Sequence, residues 1–584
     1  MRRLIYIFII GLLLCSYTWA DGSRYASKSL LSEGKWVKIR VDKTGIYKLS
    51  YADLKNMGFS DPSKVSVHGY GGWPLDEDFS KEYIDDVPST PVWRGSDYLL
   101  FYGKGPVKWE YDSSSQTFVH TNNPYSLYGY YFVTDATPTN DMTSVAQASG
   151  ASTRITTYDD YLLHEQELVS VNQSGREFFG EDFSGARPRT ISTFSSIPGI
   201  TDADGKVTMR FISRINSGSG TASLSINDSE LLDITIPSIQ TVSSNVRSYT
   251  KAIPGTTTAL WKGSKSEKNN VVVSYSSSGH TNVRLDYIRM QFVRTLRPYG
   301  ACTFFRSLTS VGNASRFVIS EANSNTLVFD VTDALNVKRV EADLNGSELS
   351  FTIPAGRLRE FVLVQTNQTF PSPEVVGEVA SSNLHGLEQR DMIIISAPSL
   401  VQQAERLAVA HREKDGLTVE VVTPEAIYNE FSSGTPDATA YRRLMKMFYD
   451  RSSSLGNLPK YLLLFGDGIY DNRGISGEVQ GVSRSNMLLT FQSQESLNVY
   501  SYATDDYFAF LEDNSGSNFS RDKMCVGVGR FPIRTVTEAT QMVDKTISYM
   551  ENKDSGSWKN NVTFVADDGN NEDSFTTNHM KQAD

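Results

Sequence analysis

The chain has 584 residues, with 56 Lys or Arg against 67 Asp or Glu and a formal net charge of −11. That acidic balance argues against a nucleic-acid surface, and at about 150 residues per domain the length predicts three or four domains. Three cysteines in so long a chain exclude a disulfide scaffold, so stability has to come from burial or from bound ions.

Met1, Arg2 and Arg3, the apolar run 4–14 and the small residue Ala20 read as a secretory signal peptide over residues 1–20, with Asp21 opening the mature chain. The run is too short to span a bilayer. Cys15 leaves with it, so Cys302 and Cys525 remain, in regions read as different domains.

Residues 21–186 form an aromatic, turn-rich β region. Residues 35–41 alternate and predict a half-buried strand. Residues 44–49 return after a turn, 51–57 read as a short helix closed by Gly58, and 98–103 and 128–133 are further strands. Over 187–370 alternation dominates, at 207–213, 222–226, 271–275, 283–292, 317–320, 326–330 and 360–364. Strands at that spacing with Gly/Ser turns predict a β-sandwich or jelly roll.

Residues 371–390 are rich in Pro, Ser and Asn and read as a linker. After it the pattern changes. Residues 392–396 and 461–465 are unbroken apolar runs, the mark of strands buried on both faces in a parallel sheet. Helices are expected over 399–414, 438–449 and 537–552, and further strands over 417–422, 507–511, 524–528 and 562–566. Alternating β and α elements make 391–584 a parallel α/β domain, which by its pattern looks incomplete.

Ligands and reacting groups in such sheets collect at the carboxyl ends of the strands. That rule marks Asp467 and Asp567 as a strand-end site and Asp505 with Asp506 as a structural calcium site; a capped turn is the competing reading. Gly466-Asp467-Gly468 lacks the spacing of a phosphate loop, and no two-histidine zinc pattern occurs. A cysteine peptidase needs a thiolate beside an imidazole. Cys525 falls inside the expected strand 524–528 and reads as a buried small hydrophobe. His385 in the linker, His411 on a helix stripe and His579 in the last segment form no dyad by spacing, so no residue of the chain is assigned as catalytic.

Residues 391–396, 461–467, 503–508 (Ala-Thr-Asp-Asp-Tyr-Phe) and 526–532 (Val-Gly-Val-Gly-Arg-Phe-Pro) resemble the N-terminal half of the gingipain-type cysteine peptidase domain. Gly34-Lys-Trp-Val-Lys38, Thr44-Gly-Ile-Tyr-Lys-Leu49, Gly69-Tyr-Gly-Gly72, Phe101-Tyr-Gly-Lys-Gly-Pro106 and Asn123-Pro-Tyr-Ser126 resemble the type IX secretion sortase branch of that family. The resemblance implies a caspase-like fold of which 391–584 is the first half. It implies a catalytic His in a Gly-His-Gly motif and a Cys further on. Neither motif occurs here, so the dyad is expected beyond Asp584 and this chain is expected to be inactive alone. It also implies removal of C-terminal sorting domains from secreted cargo, with cargo and outer-membrane secretion components as partners. The implied location is the outer surface of a Bacteroidetes-type bacterium, and no cofactor is implied for catalysis. Two other readings stay open: a secreted gingipain-like protease digesting environmental protein, and a non-enzymatic β-sandwich adhesin or carbohydrate-binding protein.

Overall fold

The structure is a computed structural model that describes residues 24–185, 187–244, 249–277, 279–477, 484–552 and 555–565. The leader over 1–20, Asp567 and His579 lie outside the described residues. Among the described residues no helix is long and apolar enough to cross a membrane.

The first sheet is organised on the strand Trp36–Val41, which pairs antiparallel with Gly129–Thr134. Strict alternation predicts one wet face, yet Trp36, Val37, Lys38, Ile39 and Val41 are all buried. Val37, Ile39 and Val41 pack on Leu49, Phe101 and Tyr131. The other face is covered too, because Trp36 joins Leu31 and Phe132 while Lys38 Nζ donates to Asn429 of the α/β domain at 2.9 Å. The helix Tyr51–Asn56 starts on a reciprocal cap between Ser50 and Asp53. It leaves through Gly58 at φ +91°, a conformation a side chain would strain.

The β-rich strands sort into further layers. One four-stranded sheet runs Thr157–Glu165, His280–Thr295, Gly205–Ile215, Ile253–Trp261 and faces a second of Arg189–Thr190, Val271–Ser276, Ser219–Ile226, Ser229–Pro237. Their inner faces meet through Met209, Phe211, Leu224, Val273 and Ile288. Another pair of sheets is built mainly from 302–365 and closes on a phenylalanine cluster in which Phe317 and Phe351 stack at 5.1 Å. The expected sandwich over 187–370 is thus two layered bodies, and Thr157–Glu165, from the stretch read as the first domain, pairs along its length with His280–Thr295.

The stretch read as a linker is a strap. Glu374–Glu378 adds an antiparallel edge to Trp36–Val41, and residues 382–385 then dock on the α/β domain. Composition predicted a free connector there, but a strand partner more than 300 residues away leaves no local signature.

The α/β domain follows its expected grammar. Val419–Val422, Met392–Ser396, Tyr461–Phe465 and Gly527–Phe531 lie in that order, all parallel. Met392–Ser396 is buried throughout, as an unbroken apolar run requires. Helices Val401–Lys414, Pro424–Phe431, Ala438–Asp450 and Val536–Met550 cover the sheet. Three expectations change. Residues 507–511 are not a strand: Asp506–Ala509 is a 3₁₀ turn that buries Tyr507 and Phe508 under Phe491 and Tyr441. The strand expected at 524–528 starts at Gly527, because the Cys525 N–H donates to Ala509 O and holds that residue off the sheet. Residues 562–565 are exposed and irregular rather than a strand.

The strap ends in a buried charge triad. His385 donates from Nδ1 to Glu430 at 2.7 Å and from Nε2 to Asp85 of the N-terminal body at 3.0 Å, with Phe431 stacked on its ring at 4.5 Å. Glu430 also accepts the Leu384 N–H at 2.7 Å and the Ser382 hydroxyl. Burial opposes the charged imidazole, but the hydrogen bonds and charges of Asp85 and Glu430 raise His385 to about 9. A folded value above the ordinary 6.5 stabilises fully below about pH 6.5 and is lost as pH rises through about 9. Glu430→Gln should cost about 3 kcal/mol at pH 6. The gap between wild type and E430Q in urea melts should narrow toward about pH 10; a gap unchanged with pH would refute the charged latch.

Candidate active-site platform at the strand ends

The carboxyl ends of the parallel strands are Ser396, Phe465 and Phe531, and the loops beyond them are stitched together by two arginines. Arg530 forks onto Asp505, Nε to Oδ2 at 2.9 Å and Nη2 to Oδ1 at 2.7 Å. The same guanidinium donates to Gly466 O at 3.2 Å and Leu489 O at 3.3 Å. One side chain therefore spans three loops. Arg534 pairs with Asp467 at 2.5 Å, and the Asp467 N–H donates to Ile533 O at 3.0 Å.

The local sequence explains the close fit. A Cβ at Gly468 would sit 2.4 Å from Thr490 Cγ2, so only glycine lets the two loops touch. Asp467–Gly468 pairs with Met487–Leu488, and Phe491–Gln492 pairs with Ala503–Thr504. Asn472 and Thr490 exchange backbone–side-chain hydrogen bonds at 3.0 and 3.1 Å. Asp471 is buried and accepts the Gly474, Ile475 and Ser476 N–H groups and the Ser476 hydroxyl, which hold its carboxyl below its ordinary range against burial. The result is a rigid shelf beside the sheet, the kind of support a reacting group needs.

The residues marked from sequence divide. Asp467 and Asp505 both sit on this shelf, each paired to an arginine. Asp506 opens the 3₁₀ turn, its N–H donating to Thr504 Oγ1 at 3.1 Å, and Asp567 lies outside the described residues. Among the described residues no three His, Cys, Asp or Glu side chains converge as a metal site. Both oxygens of Asp505 accept from Arg530, so the guanidinium already supplies this carboxylate with a positive partner. Sequence reasoning quoted the Gly-Arg-Phe-Pro phrase without giving Arg530 or Arg534 a role. Their signal was two arginines four apart at the end of a strand, with Asp467 and Asp505 in loops of the same domain.

Neither free cysteine stands beside an imidazole. Cys525 is half-buried, burial pushes its thiol up, and its Sγ lies 3.7 Å from Lys523 O. Cys302 is pushed up to about 12 by burial. His411 bonds to Asp415 at 2.7 Å on its own helix, with Ala410 and not His411 in the buried stripe.

The sequence pattern of peptidase family C25 matches residues 385–584, the whole of this platform included. The α/β domain of this chain belongs to peptidase family C25. A crystal structure of dimeric latent PorU from Porphyromonas gingivalis is similar over 92% of this chain, with 37% identity and a TM-score of 0.83. This chain spans about half, 51%, of that one. Two carbohydrate-binding modules also align: the C-terminal CBM6 of the laminarinase LamC from Zobellia galactanivorans, and a CBM35 from Cellvibrio japonicus. They cover 22% and 23% of this chain and 98% and 97% of their own, at 14% and 15% identity, with a TM-score of 0.13 each, too low to build on. No curated protein sequence matches the chain.

Within the C25 domain the Arg530 clamp should be the shelf's main fastening. Arg530→Met should cost about 2 kcal/mol and speed amide exchange over 466–476 and 487–509, leaving 392–396 protected. Melting temperatures in EDTA and in millimolar calcium should agree within about 1 °C. A calcium-dependent rise that Asp505→Asn abolishes would instead support a structural calcium at Asp505.

Proposed function

We propose that the chain is part of a gingipain-like cysteine endopeptidase that serves as a type IX secretion sortase, cleaving C-terminal sorting domains from secreted cargo. The observation that carries this reading is the 37% identity to PorU, which runs over 92% of the chain. A likeness confined to the peptidase domain would fit any family member. One that extends through the β-rich bodies favours the same division of labour between them. In this reading the protein is exported and works at the outer surface with cargo and outer-membrane secretion components.

In this reading the catalytic dyad lies outside the described residues. A peptidase thiol must be lowered toward thiolate by a neighbouring base or positive field. Burial drives Cys525 and Cys302 the other way, and neither has a histidine as hydrogen-bond partner. What this chain contributes is the shelf, which fixes the loops at the strand ends against which a substrate backbone would lie.

Disrupting the gene in the source bacterium should leave secreted cargo untrimmed, read as a mass increase equal to the sorting domain. Re-supplying the whole gene should restore trimming, and Cys525→Ala should restore it equally. Normal trimming in the disrupted strain would end the sortase reading. Failure of C525A at normal protein level would make Cys525 the nucleophile after all.

A further inference from the structure

A second cleft lies between the N-terminal body and the β-rich layers that follow it. The hairpin Val107–Asp112 with Thr117–Asn122 forms a two-stranded sheet of its own. Between its face, the strand Cys302–Phe305 and the strand Thr157–Glu165 is an open cleft of about 660 Å³, within the range of small-ligand sites. Its walls are aromatic: Trp73, Tyr102, Trp109, Tyr111, Tyr161 and Phe304 all line it. Trp109 and Tyr161 stack at 4.1 Å and 20°, giving a flat platform, and Arg306 backs Tyr161 at 4.4 Å.

The polar groups in this cleft are fixed in place. Arg306, nearly fully buried, forks onto Glu360 and donates to Asp159 O at 2.9 Å. Arg294 donates to Asp160 at 2.8 Å, and Asp160 accepts the Tyr161 N–H at 2.9 Å. Asp160 Oδ2 also accepts the Tyr158 hydroxyl at 3.3 Å, which leaves Asp160 Oδ1 and the two Glu360 oxygens each with a further lone pair to offer. Two other polar groups line the cleft. The Trp73 indole N–H is buried without a hydrogen bond. Tyr102 is 5% exposed and lines the cleft with its hydroxyl-bearing ring. Buried polar groups are nearly always satisfied, so the Trp73 N–H points to something that comes from outside.

We propose that this cleft binds a short oligosaccharide. A pyranose ring has an apolar C–H face that lies on aromatic rings. Its hydroxyls are donors and acceptors at once, matching the carboxylates of Asp160 and Glu360 as well as the Trp73 N–H and the Tyr102 hydroxyl. A proline-rich peptide also favours aromatic grooves, but it brings carbonyls without N–H donors and would leave the carboxylates dry. The site is separate from the strand-end shelf and does not depend on the proposed peptidase role.

The test probes an array of neutral and uronic-acid oligosaccharides with the labelled full chain, followed by calorimetric titration of the retained sugar and, separately, of deca-proline. Trp109→Ala should weaken sugar binding about tenfold. Tyr102→Phe, which removes one hydroxyl and keeps the ring, should weaken it about threefold to tenfold with the melting temperature unchanged. No retained glycan, equal affinity in both variants, or deca-proline binding in place of sugar each overturns the proposal.

Discussion

Three cations on one helix set the terms for the whole molecule. Ala438–Asp450 lies between the parallel sheet and the N-terminal body, and Arg442, Arg443 and Lys446 are buried along it. None can be left unpaired, since a buried charge without partners costs several kcal/mol. Their partners come largely from other segments. Arg442 donates to Glu77 O and Phe510 O at 2.6 Å and to the Ser515 hydroxyl at 2.7 Å, with Phe79 under its plane at 3.8 Å. Arg443 reaches Phe431 O and lies over Tyr83. Lys446 pairs with Asp450 and with Asp513, and Asp450 is held in turn by the Tyr25 hydroxyl at 2.7 Å. Lifting the N-terminal body away would take the Glu77 carbonyl and the Phe79 ring from Arg442, and the Ile84 carbonyl and the Tyr83 ring from Arg443.

This constraint reaches the shelf. The Thr439 hydroxyl meets the Tyr507 hydroxyl at 2.8 Å, and Tyr507 stacks on Phe491 at 3.9 Å. Asp437, buried at the helix start, accepts both the Thr439 N–H and the Leu75 N–H of the N-terminal body, and burial raises it to about 6. The loops that carry Asp505 and Thr490 thus rest on a helix that is itself pinned from behind. The β-rich front is part of how the strand-end loops are held still. Its likeness to PorU along nearly the whole chain is then physically coherent, because the platform and its backing form one packed unit.

What could be read from sequence was what has a period. Met392–Ser396 and Tyr461–Phe465 were legible because five apolar residues in a row suit few environments other than a buried parallel strand. The same logic misread 507–511, since Tyr-Phe-Ala-Phe-Leu fits a buried 3₁₀ turn as well as a short strand, and periodicity cannot separate them. Glu374–Glu378 was invisible because its partner strand lies at the other end of the chain. Asp467 and Asp505 were found by the strand-end rule, but Arg530 and Arg534 were not. A pairing across 25 or 67 residues leaves no mark in either neighbourhood.

The absence of a disulfide between Cys302 and Cys525 fits this way of holding domains together. Both are free thiols, in bodies joined by ion pairs and hydrogen bonds instead. Thiols react as thiolates, and burial pushes the Cys302 thiol up to about 12, against the hydrogen bond from the Ile46 backbone, which favours the thiolate. Burial acts the same way on Cys525, whose nearest polar neighbours are Tyr449 and Lys523 O. Packing that suppresses thiolate formation protects a chain against oxidation and mispairing. It also denies those cysteines the activation that nucleophilic catalysis requires. The burial that shields the two thiols is the same burial that opposes their conversion to thiolate.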